Sequence, residues 1–344
     1  MKPRLVFVHG IGAPRDAAAE LDEWLRAVAA GARAAGHSAQ VSALTRGWAA
    51  DARFAHYGDL FRTAGAQGTG AARTTPTPAP ALAPTPARPD ASQSEGQDDT
   101  LLAALLLEAV DARLADPASL TPAEAGALRA ARTRLAPPAG AQGAGAPARH
   151  VVNAVTSLLA VPGLRAVGGW VSARVTAGIL GQVARYLNRA ESDGTSTLDQ
   201  RIRARVADCL DPHGPNIVVA HSLGTVVALE TLHEQALREH PVDVPLFVTL
   251  GSPLGIRTAV GPRVRPHLGT PENVGRWLNF WDRDDLVAAR PRLEDVVKPN
   301  AAGTAPVSHR VDSDGAWVHP AAKYLAQPAV AGPLVEALTT LAER

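Results

Sequence analysis

Asn216-Ile-Val-Val-Ala-His-Ser-Leu-Gly-Thr-Val-Val-Ala-Leu-Glu230 places a single serine between an apolar β-branched run and the start of a helical pattern. Ile217 to Ala220 reads as a buried strand, His221 to Gly224 as a sharp turn, and Thr225 onward as a helix. A serine beside a helix start is most often a cap. In a strand–turn–helix corner, however, small neighbours permit a strained backbone that pushes the hydroxyl out at the carboxyl end of a sheet. The pentapeptide Ala220-His221-Ser222-Leu223-Gly224 has the form G-x-S-x-G with alanine for the first glycine.

The rest of the chain decides between cap and nucleophile. Leu5 to Val8 is a short apolar run ending in His9-Gly10, consistent with a first buried strand. Asp16 to Gly36 has helical periodicity with Leu21, Trp24, Leu25 and Val28 on one face, and Ala39 to Leu44 reads as the next strand. Strand, helix, strand at this spacing predicts a βαβ unit and an α/β class with a mostly parallel sheet flanked by helices. Further along, Leu198 to Leu210 and Leu223 to Arg238 read as helices. Val244 to Leu250, Arg276 to Trp281 and Ser308 to Ser313 read as strands, and Val335 to Glu343 as a closing helix. Residues 1–63 and 198–344 then rejoin into one core.

The middle of the chain departs from this pattern. Residues 64–100 are rich in Ala, Thr, Pro and Gly, with six prolines between Pro76 and Pro89 and no aromatic residue, which predicts a disordered insertion. Residues 101–197 read as a helical cap or lid. They contain helices at Leu101–Ala115 and Pro122–Leu135 and a flexible 136–149 linker. Val151 to Leu187 is apolar, with Arg165, Arg174 and Arg185 as its only charges. Its longest uncharged run falls short of the roughly 20 residues a membrane span needs. Peripheral membrane contact through 151–187 and ordinary core helices are the readings that remain.

Composition narrows the function classes. The formal net charge is +1, which gives no electrostatic reason to expect nucleic acid as partner. One cysteine, Cys209, excludes an intramolecular disulfide and multi-thiolate zinc sites. The eleven histidines show no H-x-x-x-H or H-E-x-x-H spacing, so no metal is expected. His9-Gly10-Ile11-Gly12 lacks both G-x-G-x-x-G and a P-loop lysine, so no nucleotide cofactor is expected. The N-terminal apolar run is too short for a secretory signal, and a cytoplasmic location is the expectation.

A neutral hydroxyl is a poor nucleophile. It needs a base, a group that orients the base, and donors for the developing oxyanion. Asp282, Asp284 and Asp285 follow a strand. Asp285 is preferred as acid because Leu286-Val287-Ala288 anchors it against the core, with Asp282 in reserve. His309 and His319 compete as base. His309 lies inside a strand and His319 in a loop beyond it, where a side chain can reach over the sheet edge. His221 is expected to pack away from the hydroxyl, and His267 has no motif support. Donors are expected from the N–H groups of Ile11 and Leu223.

The order Ser222, Asp285, His319 and the stretches VFVHGIG, VVAHSLG, TLGSPLG, NFWDRDDLVA and WVHPAAKYL resemble the α/β-hydrolase superfamily, in particular its lipase- and esterase-like members. The resemblance leaves about 64–197 unmatched. It implies an α/β-hydrolase fold and cofactor-free cleavage of a carboxylic ester through an acyl-enzyme. Ser222 is then nucleophile, His319 base, Asp285 acid, and Ile11 and Leu223 oxyanion donors. The expected partner is a small-molecule or lipid ester, and the apolar 151–187 stretch favours a hydrophobic acyl group. The same triad also serves acyltransferases, thioesterases and amidases or peptidases, and a hydrolase-like fold can act as an interaction module.

Overall fold

The computed structural model describes residues 2–10, 16–45, 49–61, 91–116, 120–135, 173–288, 290–313 and 318–343. Their centre is a single six-stranded sheet with every neighbouring pair parallel. The strands are β1 (Arg4–Val8), β2 (Asp51–Ala55), β3 (Asn216–His221), β4 (Leu246–Leu250), β5 (Trp277–Asp282) and β6 (Pro306–Val311), in the spatial order β2-β1-β3-β4-β5-β6. An all-parallel sheet must be covered on both faces, so its central strands are mostly apolar instead of alternating with polar residues. β3 meets that demand, with all six residues buried.

Two helical layers cover the faces. Leu5, Phe7, Ile217, Val219, Val248 and Phe280 point toward α1 (Ala17–Ala34), α8 (Ala321–Leu325) and α9 (Pro328–Ala342). Val6, Val8, Val218, Ala220, Phe247 and Trp277 point toward α5 (Ala173–Asn188), α6 (Leu198–Ala207) and α7 (Leu223–Ala236). Each such apolar side chain contributes about 1.5–3 kcal/mol when fully buried. Asp16 caps α1, its carboxylate accepting from the N–H of Ala18 at 2.8 Å and of Ala19 at 3.1 Å.

Several expectations change. Ala39–Leu44 is not a strand but lies within a helix, α2 (Ser38–Thr45). Its two alanines and leucine favour helix more than its one valine favours strand. The second strand is Asp51–Ala55, at the sheet edge, where two charged residues in five hide the pattern. Helix α3 spans Ala91–Leu114, so 91–100, assigned to a disordered insertion, is helical. Residues 62–90 lie outside the described residues. α4 (Pro122–Leu135) packs on α3 through Leu102, Leu106, Val110, Leu128 and Leu135. The closing helix starts at Pro328, seven residues before Val335, because proline is well suited to a helix's first turn.

Of the apolar stretch 151–187, residues 151–172 lie outside the described residues. Val183, Ala184, Tyr186 and Leu187 are buried in the core. Arg185 and, just past the stretch, Arg189 are ion-paired. Arg185 binds Glu191 and the carbonyl of Phe61. Arg189 binds Glu230 at 2.5 Å and Asp199 at 3.1 Å. Glu230, on α7 and 1% exposed, also accepts from Tyr186 Oη (2.7 Å), Arg203 (3.2 Å) and the N–H of Arg265 (2.8 Å). Four donors compensate the buried charge and tie α5 and α6 to α7. Among the described residues no helix is long and apolar enough to cross a membrane.

Candidate active site

The strand order reverses direction between β1 and β3: from β1 the chain runs outward to β2, and from β3 outward the other way to β6. In open α/β sheets, ligand sites form at the carboxyl ends of the strands beside such a switch point. Val8 pairs with Ala220 there, so His9-Gly10 and His221-Ser222 leave the sheet side by side.

Ser222 has φ 54° and ψ −130°, a left-handed conformation that non-glycine residues rarely adopt. It makes no side-chain cap for α7, so the cap reading fails. Its N–H donates to Leu250 O at 3.0 Å, and its carbonyl accepts from Thr225 N (3.0 Å) and Thr225 Oγ1 (2.7 Å). The corner has no spare room. A Cβ on Gly224 would lie 2.3 Å from His9 O, and one on Gly10 would lie 2.7 Å from Ser222 Cβ. Glycine at both positions is what lets the turn nest against the end of β1.

Ser222 Oγ lies 3.1 Å from His319 Nε2. His319 Nδ1 in turn lies 2.8 Å and 3.0 Å from the two oxygens of Asp285. A carboxylate only accepts, so it draws the imidazole proton to Nδ1 and leaves Nε2 as acceptor for the serine hydroxyl. Burial would raise the Asp285 carboxyl. The His319 charge opposite, and hydrogen bonds from His319 and Tyr324, outweigh burial and hold it below the ordinary carboxylate value. The structure thus brings Ser222, His319 and Asp285 into one hydrogen-bonded chain, although 97 and 34 positions separate them in pairs.

The competing candidates fall elsewhere. Asp282 accepts from the N–H of Asp284 (2.9 Å) and of Ser313 (2.6 Å), and burial raises its carboxyl. It closes the turn after β5 and fastens the end of β6. Asp284 pairs with Arg113 of α3 at 3.1 Å. His309 is exposed on β6 and stacks on Phe280 at 5.5 Å. His267 rests on His233. Ile11 lies outside the described residues. Leu223 is the first residue of α7, where backbone N–H groups lack intrahelical acceptors.

Three further residues were not singled out for a role at the site. His221 packs on His319 with ring centroids 4.6 Å apart, and its Nε2 meets the His319 carbonyl at 2.6 Å. A carbonyl only accepts, so His221 donates. Burial, then the His319 charge, pushes its pKa down to about 3, which keeps it neutral. Gly251, at φ 54°, leaves room for the acid: a Cβ there would lie 2.7 Å from Asp285 Oδ2. Tyr324, from α8, donates to Asp285 Oδ2 at 2.7 Å. Gly251 and Tyr324 lie in TLGSPLG and WVHPAAKYL, two of the stretches that carry the resemblance, but neither residue is assigned a role by sequence alone.

On the β1 side, Tyr57 clamps His9. Its N–H donates to His9 Nε2 at 3.0 Å and its hydroxyl to His9 O at 2.5 Å. Burial, followed by the charges of His56 and His221, lowers His9 to about 3. Beyond the acid, a cavity of about 210 Å³ opens between α3 and the ends of β5 and β6, lined by Arg113, Trp281, Arg283, Asp285 and Arg310 among others. Glu108 anchors α3 above it, accepting from the N–H groups of Arg257 (2.6 Å) and Thr258 (2.9 Å). Among the described residues no three His, Cys, Asp or Glu side chains gather into a metal-binding group.

Compared with family models, with curated proteins and with solved structures, the chain finds no match in any of the three.

Proposed function

We propose that this chain is a serine hydrolase of the α/β-hydrolase type, cleaving carboxylic esters through an acyl-enzyme. The observation that carries the reading is the hydrogen-bonded chain from Ser222 Oγ through His319 to a buried Asp285, at the switch point of a parallel sheet. Capping, packing or turn formation by any one of the three residues does not require the other two at these distances.

In this reading, Nε2 of His319 takes the hydroxyl proton as Oγ attacks the ester carbonyl. The carbonyl π electrons move to oxygen, and the N–H of Leu223 holds the oxyanion, with that of Ile11 the second donor expected from the sequence. The tetrahedral intermediate collapses, the C–O bond to the alcohol breaks, and the imidazolium returns its proton to the departing alkoxide. Water, deprotonated by the same nitrogen, then attacks the acyl-serine. The second tetrahedral intermediate breaks its bond to Oγ, the imidazolium returns its proton to Oγ, and the carboxylic acid leaves. Asp285 holds the Nδ1 tautomer and offsets the imidazolium charge throughout. Ser222 is 0% exposed, so acylation requires its cover to move aside.

A fluorophosphonate probe tests the assignment directly, because it traps an activated serine and spares an inert one. The native chain is expected to label and Ser222→Ala not to label. Equal labelling of the two, or no labelling of the folded native chain, overturns the reading.

A further inference from the structure

We propose that Tyr324 is a positioning residue that commits Asp285, and not its neighbour Asp282, to orienting His319. The inference rests on the hydrolase reading above and deepens it.

One buried hydroxyl touches both aspartates' positions, and it does so with opposite polarity. The backbone N–H of Asp282 donates to Tyr324 Oη at 3.1 Å. Tyr324 Oη lies 2.7 Å from Asp285 Oδ2. The Asp282 N–H occupies the oxygen as acceptor, so the phenol proton is directed to the one acceptor opposite, the Asp285 carboxylate. Tyr324 is 0% exposed, and burial followed by the Asp285 charge raises its pKa, so the hydroxyl remains a donor.

The consequences for Asp285 are geometric. Oδ2 is held by Tyr324, Oδ1 accepts from Val287 N–H at 3.0 Å, and the edge between them faces His319 Nδ1. Without the phenol, Oδ2 keeps only the imidazole as donor, and the plane of the carboxylate is fixed at Oδ1 alone, by the Val287 N–H. Asp282 meanwhile is turned away, its oxygens taken by Ser313 N and Asp284 N. The other groups around the pair are His221, packed on His319 and neutral, and Arg283, Arg310 and Arg113 across the adjoining cavity. Arg113 is ion-paired with Asp284, and Arg310 with Asp312.

The test compares the native chain with Tyr324→Phe by two readouts. The first is the His319 imidazole titration, followed by NMR on the labelled chain without substrate. Losing the phenol donor leaves more charge on Asp285 facing the imidazole, so the His319 midpoint is expected to move up by about 0.5–1 unit. The second is the pH profile of p-nitrophenyl acetate hydrolysis. Its acid limb should move up by the same amount and kcat fall about tenfold, with KM little changed. An unchanged His319 midpoint overturns the proposal. So does a lower rate with an unmoved profile, which would mark Tyr324 as packing alone. Should the phenylalanine variant fail to fold, 3-fluorotyrosine at position 324 keeps the ring and donates more strongly, and the midpoint must then move down. Because the NMR midpoint needs no turnover, a native chain that titrates as expected yet hydrolyses no ester would sink the hydrolase reading and leave the positioning geometry standing.

Discussion

The two ends of the Ser222–His319–Asp285 chain are built by different means. At the serine end the backbone does the work. A positive φ, two glycines without room for a Cβ, and carbonyls 2.3–3.2 Å from where those Cβ atoms would lie fix the corner. At the acid end side chains do the work. The Tyr324 hydroxyl and the Asp282 carboxylate, which accepts from the Ser313 N–H, hold a loop whose own backbone bonds are a few turn contacts, among them Asp285 N–H to Asp282 O at 3.1 Å. The first construction tolerates no added atom. The second tolerates a change of side chain only where no hydrogen bond depends on it.

The strongest way to break this comparison is to exchange carboxylates for amides at the acid end. Asp285→Asn presents an N–H or a weaker acceptor to His319 Nδ1 and favours the wrong tautomer. Ester hydrolysis should fall roughly 10⁴-fold in kcat. Asp282→Asn keeps an acceptor for only one of the Ser313 and Asp284 N–H groups and turns its NH2 toward the other, which loosens the turn, but it touches no reacting atom, so kcat should stay within about tenfold of the native value. Steady-state kinetics on a short p-nitrophenyl ester decides it. If the two variants lose activity equally, the acid end is one cooperative loop and not one acid with a separate fastener.

A smaller but still large effect is expected at the serine end. Gly224→Ala places a methyl 2.3 Å from His9 O and 2.7 Å from Val8 O, both backbone atoms. Neither can step aside without moving the end of β1 relative to α7. The cost should be about 3 kcal/mol, at the upper end of what overpacking usually costs. The urea midpoint of unfolding measures it. A loss under about 1 kcal/mol would show that the corner is looser than its contacts imply.

This difference in construction also explains which parts of the molecule could be read in advance. Backbone-built features demand particular residue types at fixed short spacings, so Ala220-His221-Ser222-Leu223-Gly224 and His9-Gly10 announced the turn and its neighbour. The buried strands β1, β3, β4 and β5 announced themselves because both faces are covered and their residues are mostly apolar. Edge strand β2 did not, having only one partner strand and two charges in five residues. Ala39–Leu44 went astray for a related reason: Ala-Gln-Val-Ser-Ala-Leu is too short to separate one period from the other. Tyr324 could not be assigned its role from sequence because that role rests on two hydrogen bonds to residues about 40 positions away, Asp285 and Asp282. His221 was legible as a packing residue, but its donation to the His319 carbonyl depends on where a loop 98 positions later comes to rest.

The smallest expected effect separates the two ends by pH. His9 and His221, at the serine end, are lowered to about 3, with burial as the leading cause in each. In the unfolded chain they titrate near 6.5. Between those values the unfolded state binds protons the folded state refuses, so stability is full above about pH 6.5 and falls as pH drops toward 3. Each histidine contributes a slope of about 1.4 kcal/mol per pH unit in that window. Asp285, at the acid end, is shifted in the same sense from a lower starting point. Its contribution is present above the unfolded carboxylate value near 3.9 and is lost only as pH falls below that. Acidification from pH 7 to 5 should therefore loosen the serine end while the acid end keeps its contribution. His221→Gln removes one of the two titrations, and the slope of urea stability against pH between 6 and 4.5 should drop by about 1.4 kcal/mol per unit. An unchanged slope would mean that His221 takes up its proton in the folded chain. Its Nδ1 would then have found an acceptor, and the serine end would owe less of its acid sensitivity to buried neutral imidazoles than this geometry implies.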